Sequence, residues 1–335
     1  MRQFLIRRLI QSALLLFVLM TFTFALTRLT PGGPEAVLFE QPNMGAVDIE
    51  RLRERFGLND PLPLAYWKWI SSAIRLDFGR SYQYLRPPLD VMGERLWPTL
   101  QLELVAYCIA LLGIPLGIIA AMNRARLPDV VIRIFTVFGS AVPGWWLALV
   151  IIVIMSATIG WFPYGEGREG PIDWFTHIIL PATMLGLGGI VAFTRFVRSQ
   201  VLEVIEQDYV RTARAKGLPE LLPSWPTGRR SLIARLRLAA NLSVSTVILR
   251  HILRNALLPV VTLLGGLLPA LISGAVIMEG IFNWPGMGRL YLEAAGTRDY
   301  PLLLAITTMA TLATLLGTLF ADILYGYVDP RVRYG

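Results

Sequence analysis

The sequence predicts an all-α, polytopic membrane protein with six transmembrane helices and a small helical cap on one face. Three observations predict it. Of its 335 residues 55% are hydrophobic and only 16% charged, where soluble chains carry about a quarter charged residues. The apolar residues gather into six runs long enough to cross a bilayer, which takes about 20 residues. The cations collect in alternate connecting segments, the pattern by which membrane chains set their orientation.

The first run spans about Leu9 to Leu29 and follows a basic start at Arg2, Arg7 and Arg8. It exceeds the hydrophobic stretch of a cleaved signal peptide and no A-x-A site follows it, so it reads as a retained anchor. Residues 30–98 come next as an extracytoplasmic cap region. Turn residues there (Pro31 to Pro34, Pro61, Pro63, Pro87, Pro88) alternate with "VDIERLRERFGL". Val47, Ile49, Leu52 and Phe56 can form an apolar stripe in it, with Asp48 as N-cap and Gly57 past the end. The neighbouring "PLAYWKWI" has the aromatic richness of an interfacial belt. The remaining runs cover about Leu100–Met122, Val130–Ile159, Ile178–Phe196, Ala256–Ile281 and Leu302–Leu324. Pro115, Pro143, Pro181 and Pro269 interrupt them, which neighbouring helices can accommodate. Residues 99–325 thus form the core with five spans, and 326–335 a short tail.

Placing the amino terminus, the 123–133 loop, the 195–254 segment and the carboxy terminus on one side collects 19 of the 31 Lys and Arg there. The same side holds only 7 of the 23 Asp and Glu. It is therefore the expected cytoplasmic side, with both termini inside. The net charge of +8 is explained by this topology and points to no nucleic acid. The single cysteine, Cys108, lies in an apolar run and reads as a small core residue, with no disulfide and no thiolate cluster.

Chemical motifs are absent. No G-x-x-x-x-G-K-[ST] loop is present, so ATP binding of that kind is not expected of this chain, and no H-E-x-x-H or G-x-S-x-G appears. His177 and His251 stand apart, without partners at metal-ligand spacing. No catalytic residue, metal or cofactor is expected. Ionisable residues within spans are functional candidates by default. Glu103 is read either as a polar group on a translocation path or as an interfacial carboxylate bonded to a neighbouring helix. Glu279, near the outer end of the fifth span, is a candidate for a gate or an interface. Asp322 reads as structurally paired. Small residues crowd the fifth span (Gly265, Gly266, Ala270, Ser273, Gly274, Ala275). They suit close helix packing or a helix that lines a path and moves.

The polar stretch "DYVRTARAKGLPE" is the odd segment between greasy runs. Asp208 can cap a two-turn helix over Tyr209 to Lys216, which Gly217 would end. So short a helix is unstable alone in water and needs a surface to lie on. Its own loop or lipid headgroups would serve, as would a protein partner.

"EVIEQDYVRTARAKGL" followed by "HILRNALLPVVT" resembles the EAA-type cytoplasmic motif of binding-protein-dependent ABC importer permeases. More narrowly, the chain resembles the B-type membrane subunit of dipeptide/oligopeptide (and nickel) importers. The resemblance covers nearly the whole chain through "FLIRRL", "TRLTPGGP", "LDFGRS", "TLQLELVAY", "HIILPA", "EGIFNWPGMGRL", "RDYPLLLA" and "DILYGYVDPRVR". It implies the type I importer permease fold and a place in a bacterial or archaeal cytoplasmic membrane. The implied partners are a second homologous permease subunit, two cytoplasmic ATPase subunits that bind ATP and Mg, an extracytoplasmic substrate-binding protein, and membrane lipid. It further implies that 201–218 is a coupling segment docking on the ATPase through Asp208, Tyr209, Arg211, Thr212, Ala213, Arg214, Ala215, Lys216 and Gly217. ATP-driven closure of the ATPases would move that helix and rock the spans. The family default for cargo is di- or oligopeptide, with nickel or another small solute behind it.

"IFNWPGMGRL" reads as a tight Pro-Gly turn on the outer face. Path or gate candidates are Glu103, Ser273, Gly274, Glu279, Trp284, Pro285 and Gly286. One departure from the family stands out. The gap from Gly217 to Pro259 is roughly two dozen residues longer than expected, and we assign the extra part to an insertion at about 219–242. Its "SLIARLRLAANLS" can form an interfacial amphipathic helix or stay solvated. A stand-alone secondary transporter is the competing class. It would be marked by inverted repeats and midplane charges, which the sequence lacks.

Overall fold

A computed structural model describes residues 2–29, 60–160, 165, 167, 170–208 and 274–328, with the backbone alone at 2–6, 8–9, 27–29 and 321–328. The described residues are helical, with no strand among them. The helices are α1 (Arg2–Leu29), α2 (Leu62–Ile74), α3 (Pro88–Ala110), α4 (Gly113–Met122), α5 (Leu127–Ala141), α6 (Gly144–Ile159), α7 (Pro171–Ile205), α8 (Val276–Ile281), α9 (Met287–Gly296) and α10 (Tyr300–Val328). The expected stripe at 47–57, the segment Tyr209–Gly217, the insertion at 219–242, His251, and the fifth span before Gly274 lie outside the described residues.

α7 is the hub. It packs against α3, α4, α5, α6 and α8, while α1 lies along α10 and α9 bridges α3, α8 and α10. At 35 residues it is longer than the run read from hydropathy, about 50 Å at 1.5 Å per residue. A hydrocarbon core is about 30 Å thick, so polar residues at both ends of α7 project beyond it. Among the described residues three apolar helical stretches have the length and composition of a membrane span, Pro88–Met122, Pro171–Ile205 and Tyr300–Phe320, and a fourth is added if the bent pair α5–α6 makes one span.

The third run departs from expectation. Over Val130–Ile159 the helix is broken, and α5 and α6 meet at 92°. Val142 is extended (φ −103°, ψ 123°) ahead of Pro143, which opens α6. A residue before proline is disfavoured in helical conformation, and the proline ring offers no N–H to continue the ladder. Pro181, by contrast, lies inside α7 without ending it. The two prolines look alike in sequence, and their surroundings decide the outcome. Pro181 is buried within the hub helix, whereas Pro143 is exposed, with α5 and α6 turned largely outward around it.

Close approach of α3 and α4 to α7 depends on glycine. A Cβ at Gly113 would stand 2.5 Å from the Ile190 carbonyl oxygen, and one at Gly117 2.7 Å from that of Thr194. Thr194 Oγ1 donates to the Gly113 carbonyl (3.2 Å), bonding across the break between α3 and α4. Small residues let these helices meet on the α4–α7 seam, while those expected to do so in the fifth span before Gly274 lie outside the described residues.

Two further expectations are revised. Cys108 is exposed. It shares the outward face of α3 with Leu104 and Leu111, opposite Leu102 and Ala106, which pack inward. The aromatic stretch of α2 is only partly a belt. Phe24 of α1 stacks on Trp69 (5.2 Å) and meets Tyr66 edge-on (5.3 Å), while Trp67 stays exposed.

Candidate functional site

The polar chemistry of the bundle collects at its two ends. At one end the segment 274–300 closes over α3. Glu279, on the short α8, is fully buried. It accepts from Thr99 Oγ1 through Oε1 (3.0 Å) and from the Arg289 amide through Oε2 (3.0 Å). Thr99 Oγ1 in turn accepts from the Met287 amide (2.7 Å). The arrangement follows from a gap in α9. Its N-cap is Gly286, which has no side chain to cap with, yet the first amides of a helix need partners. Thr99 and Glu279 supply them from outside the helix, and a carboxylate suits the positive end of the helix dipole.

Glycine makes room for this cage. Gly274 adopts φ +71°, a left-handed conformation that favours glycine, and a Cβ on it would stand 2.6 Å from Glu279 Oε1. A Cβ on Gly286 would collide with both Glu279 Oε2 and Thr99 Oγ1. Trp284 is fully buried among Leu102, Ala106, Ile178 and Ala182, and its Nε1 donates to the Pro98 carbonyl (2.9 Å). This is the stretch, Ile281–Leu290, expected as a tight Pro-Gly turn. The segment is mostly buried, because its indole and its polar cage both insert against α3. Pro285 is half-buried beside it.

The same end carries a second buried carboxylate. Asp299, fully buried, accepts from Ser81 Oγ and from the Gln83 amide (3.1 Å), and its Oδ1 takes the Leu302 amide at the start of α10 (3.3 Å). Ser81 Oγ also takes the Tyr84 amide (3.0 Å), and the Tyr84 hydroxyl donates to Glu293 (3.1 Å). "LDFGRS" and "RDYPLLLA" are thereby joined in space. Burial, reinforced by the Glu293 carboxylate, pushes the Tyr84 phenol above its ordinary pKa.

Glu103 is buried on α3 and has no hydrogen-bond partner among the described residues. It lies within electrostatic reach of Glu279. On α7, His177 turns Nδ1 to the Asp173 carbonyl (2.8 Å) and carboxylate (3.3 Å). No group of three or more His, Cys, Asp or Glu that could hold a metal gathers among the described residues.

At the opposite end Arg198 of α7 grips Asp129 of α5 with two bonds, Nε to Oδ1 (2.7 Å) and Nη2 to Oδ2 (3.1 Å). Arg133 approaches the same carboxylate at 3.6 Å, and the Ala125 amide donates to it (3.0 Å). Arg124 pairs with Glu206 (2.8 Å) beside it. Sequence reasoning counted these charges as loop charges that set orientation and missed the pair. The signal in the sequence is an acid, Asp129, alone among cations at the head of an apolar helix.

Of the residues expected to dock on an ATPase, Asp208 is described; it lies exposed just past the end of α7. Tyr209, Arg211, Thr212, Ala213, Arg214, Ala215, Lys216 and Gly217 lie outside the described residues, as does Ser273 of the path candidates. The structure brings Gly274, Glu279, Trp284 and Gly286 together. Pro285 joins them in sequence, and Glu103 stands one turn along α3 from Thr99.

The family model described as "Binding-protein-dependent transport system inner membrane component" matches residues 113–222 and 232–334. The model for the N-terminal part of that membrane component matches residues 1–100. The chain is 36% identical over 341 aligned residues to the oligopeptide transport system permease protein AppB of Bacillus subtilis (strain 168), with 100% of each chain covered. It is 35% identical over 335 residues, again with 100% of each covered, to the glutathione transport system permease protein GsiC of Escherichia coli (strain K12).

Proposed function

Because the chain belongs to the family of binding-protein-dependent transport system inner membrane components and is the membrane permease subunit of such an importer, we propose that it carries di- or oligopeptides across a bacterial or archaeal cytoplasmic membrane as one half of a translocation pore. The observation that carries the cargo assignment is full-length similarity to permeases named for oligopeptide and for glutathione, itself a tripeptide. The other half of the pore is a second permease subunit. Two ATPase subunits supply ATP hydrolysis, which this chain does not perform, and a substrate-binding protein delivers cargo to the end built on Glu279 and Asp299. Both termini, the Asp129–Arg198 end and the segment 201–218 face the cytoplasm, as the cation distribution argues.

Energy enters through the helix from Asp208 to Gly217, which docks on an ATPase by way of its small residues and cations. α7 ends at Ile205, three residues before Asp208, so displacement of the docked helix is delivered to the end of α7. The opposite end forms the gate. Glu279, Gly274, Trp284, Pro285 and Gly286 hold 274–290 on α3, and Glu103 and Ser273 line the path behind it.

The test is purification of the full transporter with its ATPases and replacement of Gly217 by Leu. Assembly stays intact while binding-protein-stimulated ATP hydrolysis and uptake of a mixed di- and tripeptide pool are lost together. Wild-type coupling in that variant, or failure of any ATPase to copurify with the wild-type chain, overturns the docking. Nickel uptake without peptide uptake overturns the cargo.

A further inference from the structure

We propose that Asp129 and Arg198 are positioning residues of energy coupling. Their ion pair welds the α4–α5 corner to the last turns of α7, so that the coupling segment drives both elements as one rigid unit. The inference rests on the docking of 208–217 described above and adds the device that carries its motion into the bundle.

Four observations support it. The pair joins residues 69 positions apart on two separate helices, so it is a tertiary tie and not a feature of one helix. It is two-pronged, and a guanidinium fork on a carboxylate fixes orientation as well as distance. Asp129 is 1% exposed at its side chain and Arg198 23%, so solvent screens the pair little. Finally, Asp129 does double duty. The Ala125 amide donates to the same carboxylate, with Ala125 in a left-handed backbone conformation (φ +62°). The short loop between α4 and α5 is therefore held by the group that Arg198 holds.

The location gives the tie its mechanical sense. Arg198 stands seven residues before the end of α7 at Ile205, about 10 Å along the helix. Beyond that end the coupling segment begins. Without the tie, a push on the segment would be absorbed by bending of the last turns of α7 against α5, which is largely exposed. With it, the push reaches α5 directly, and α4 through the corner and the Gly117–Thr194 seam. Arg124–Glu206 adds a second, solvent-exposed strut at the same corner, which contributes little by itself.

The experiment uses the complete transporter with its ATPases in nanodiscs, in a Cys108→Ser background. Spin labels at Arg126→Cys and Glu203→Cys report the distance between the two tied ends by pulsed electron resonance. In the wild-type pair that distance has the same distribution without nucleotide and after trapping with Mg-ATP and vanadate. With Asp129→Asn it broadens and shifts on trapping. Binding-protein-stimulated ATP hydrolysis relative to the basal rate then falls about tenfold per assembled complex, within the usual range of coupling energies. Arg198→Lys keeps the charge and loses the fork, and it falls between the two on both readouts. Where Asp129→Asn does not accumulate in the membrane, Arg198→Lys decides by the same readouts.

A wild-type distance that changes on trapping overturns the rigid unit. So does a variant whose only loss is the amount of complex, with per-complex stimulation and distance unchanged, since a merely structural pair behaves that way. Failure of the underlying docking looks different. There Gly217→Leu keeps full stimulation, whatever the distance between the labels does.

Discussion

Removal of the Glu279 carboxylate is the sharpest test of the cage at the 274–290 end. Glu279→Ala leaves two donors, the buried Thr99 Oγ1 and the half-buried Arg289 amide, without the acceptors that now stand 3.0 Å from each. Each buried polar group left unpaired costs about 1–3 kcal/mol, so the expected loss is ~2–6 kcal/mol before any cavity is counted. Thr99 can turn its hydroxyl elsewhere while still accepting from the Met287 amide, which places the result toward the lower half. Glu279→Gln keeps one oxygen and sets an NH2 group against one of the donors, so it should lose roughly half as much. The assay is thermal unfolding of the purified transporter in detergent, followed by the fluorescence of buried indoles such as Trp284. Wild type, Gln and Ala should rank in that order. A Glu279→Ala protein within about 0.5 kcal/mol of wild type, the usual scatter of neutral surface changes, would refute the cage. The carboxylate would then be dispensable and the α9 amides capped in another way.

Gly117→Leu should fail more severely than its conservative appearance suggests. A side chain there runs into the Thr194 carbonyl and Val197 Cβ, and overpacking a tight seam costs about 1–3 kcal/mol or more. Less assembled transporter in the membrane is expected, and Gly93→Leu, where a Cβ meets nothing within 4 Å, serves as the control. Tyr84 predicts an alkaline effect. Its phenol is held above the ordinary value by burial and by Glu293, so the folded state keeps that proton more tightly than the unfolded one. The contribution is complete below the ordinary tyrosine value near pH 10 and falls as pH rises through the raised one. Wild type should therefore lose melting temperature more steeply than Tyr84→Phe above about pH 10, and parallel slopes would exclude the effect.

Much of the architecture was readable because lipid rewards uninterrupted apolar runs, so spans appear directly in the residue order. Prolines were not readable in the same way. Pro143 ends a helix where its flanks are exposed, and Pro181 is absorbed into the buried interior of α7. Burial is a tertiary property that no local pattern reports. Glu279 was visible as an ionisable residue near the end of a span, but its partners Thr99 and Arg289 were not. Thr99 lies 180 residues away, and the need for it arises only because Gly286 cannot cap α9. The Asp129–Arg198 pair escaped for a related reason. Cations near a membrane are read for orientation, and that reading treats each charge as solvated. Trp284 was legible as part of a Pro-Gly turn on the outer face, but its buried site on α3 was not, because its neighbours Leu102, Ala106, Ile178 and Ala182 are brought together only by the fold.

The unbroken length of α7 has one more consequence. A rod of about 50 Å clamped at one end by Asp129 acts as a lever. Arg198 and Ile178 lie about 30 Å apart along it, so a rotation of about five degrees about that clamp displaces the point where Ile178 meets Trp284 by roughly 2–3 Å. A small rotation at the Asp129 clamp is thereby magnified at the Trp284 end without any helix melting or sliding. The amplification depends on stiffness, and that comes from packing, because the rod carries Pro181 and the Gly188–Gly189 pair near its middle, where Gly186 and Gly189 lie against Ile109 and Ala110 of α3.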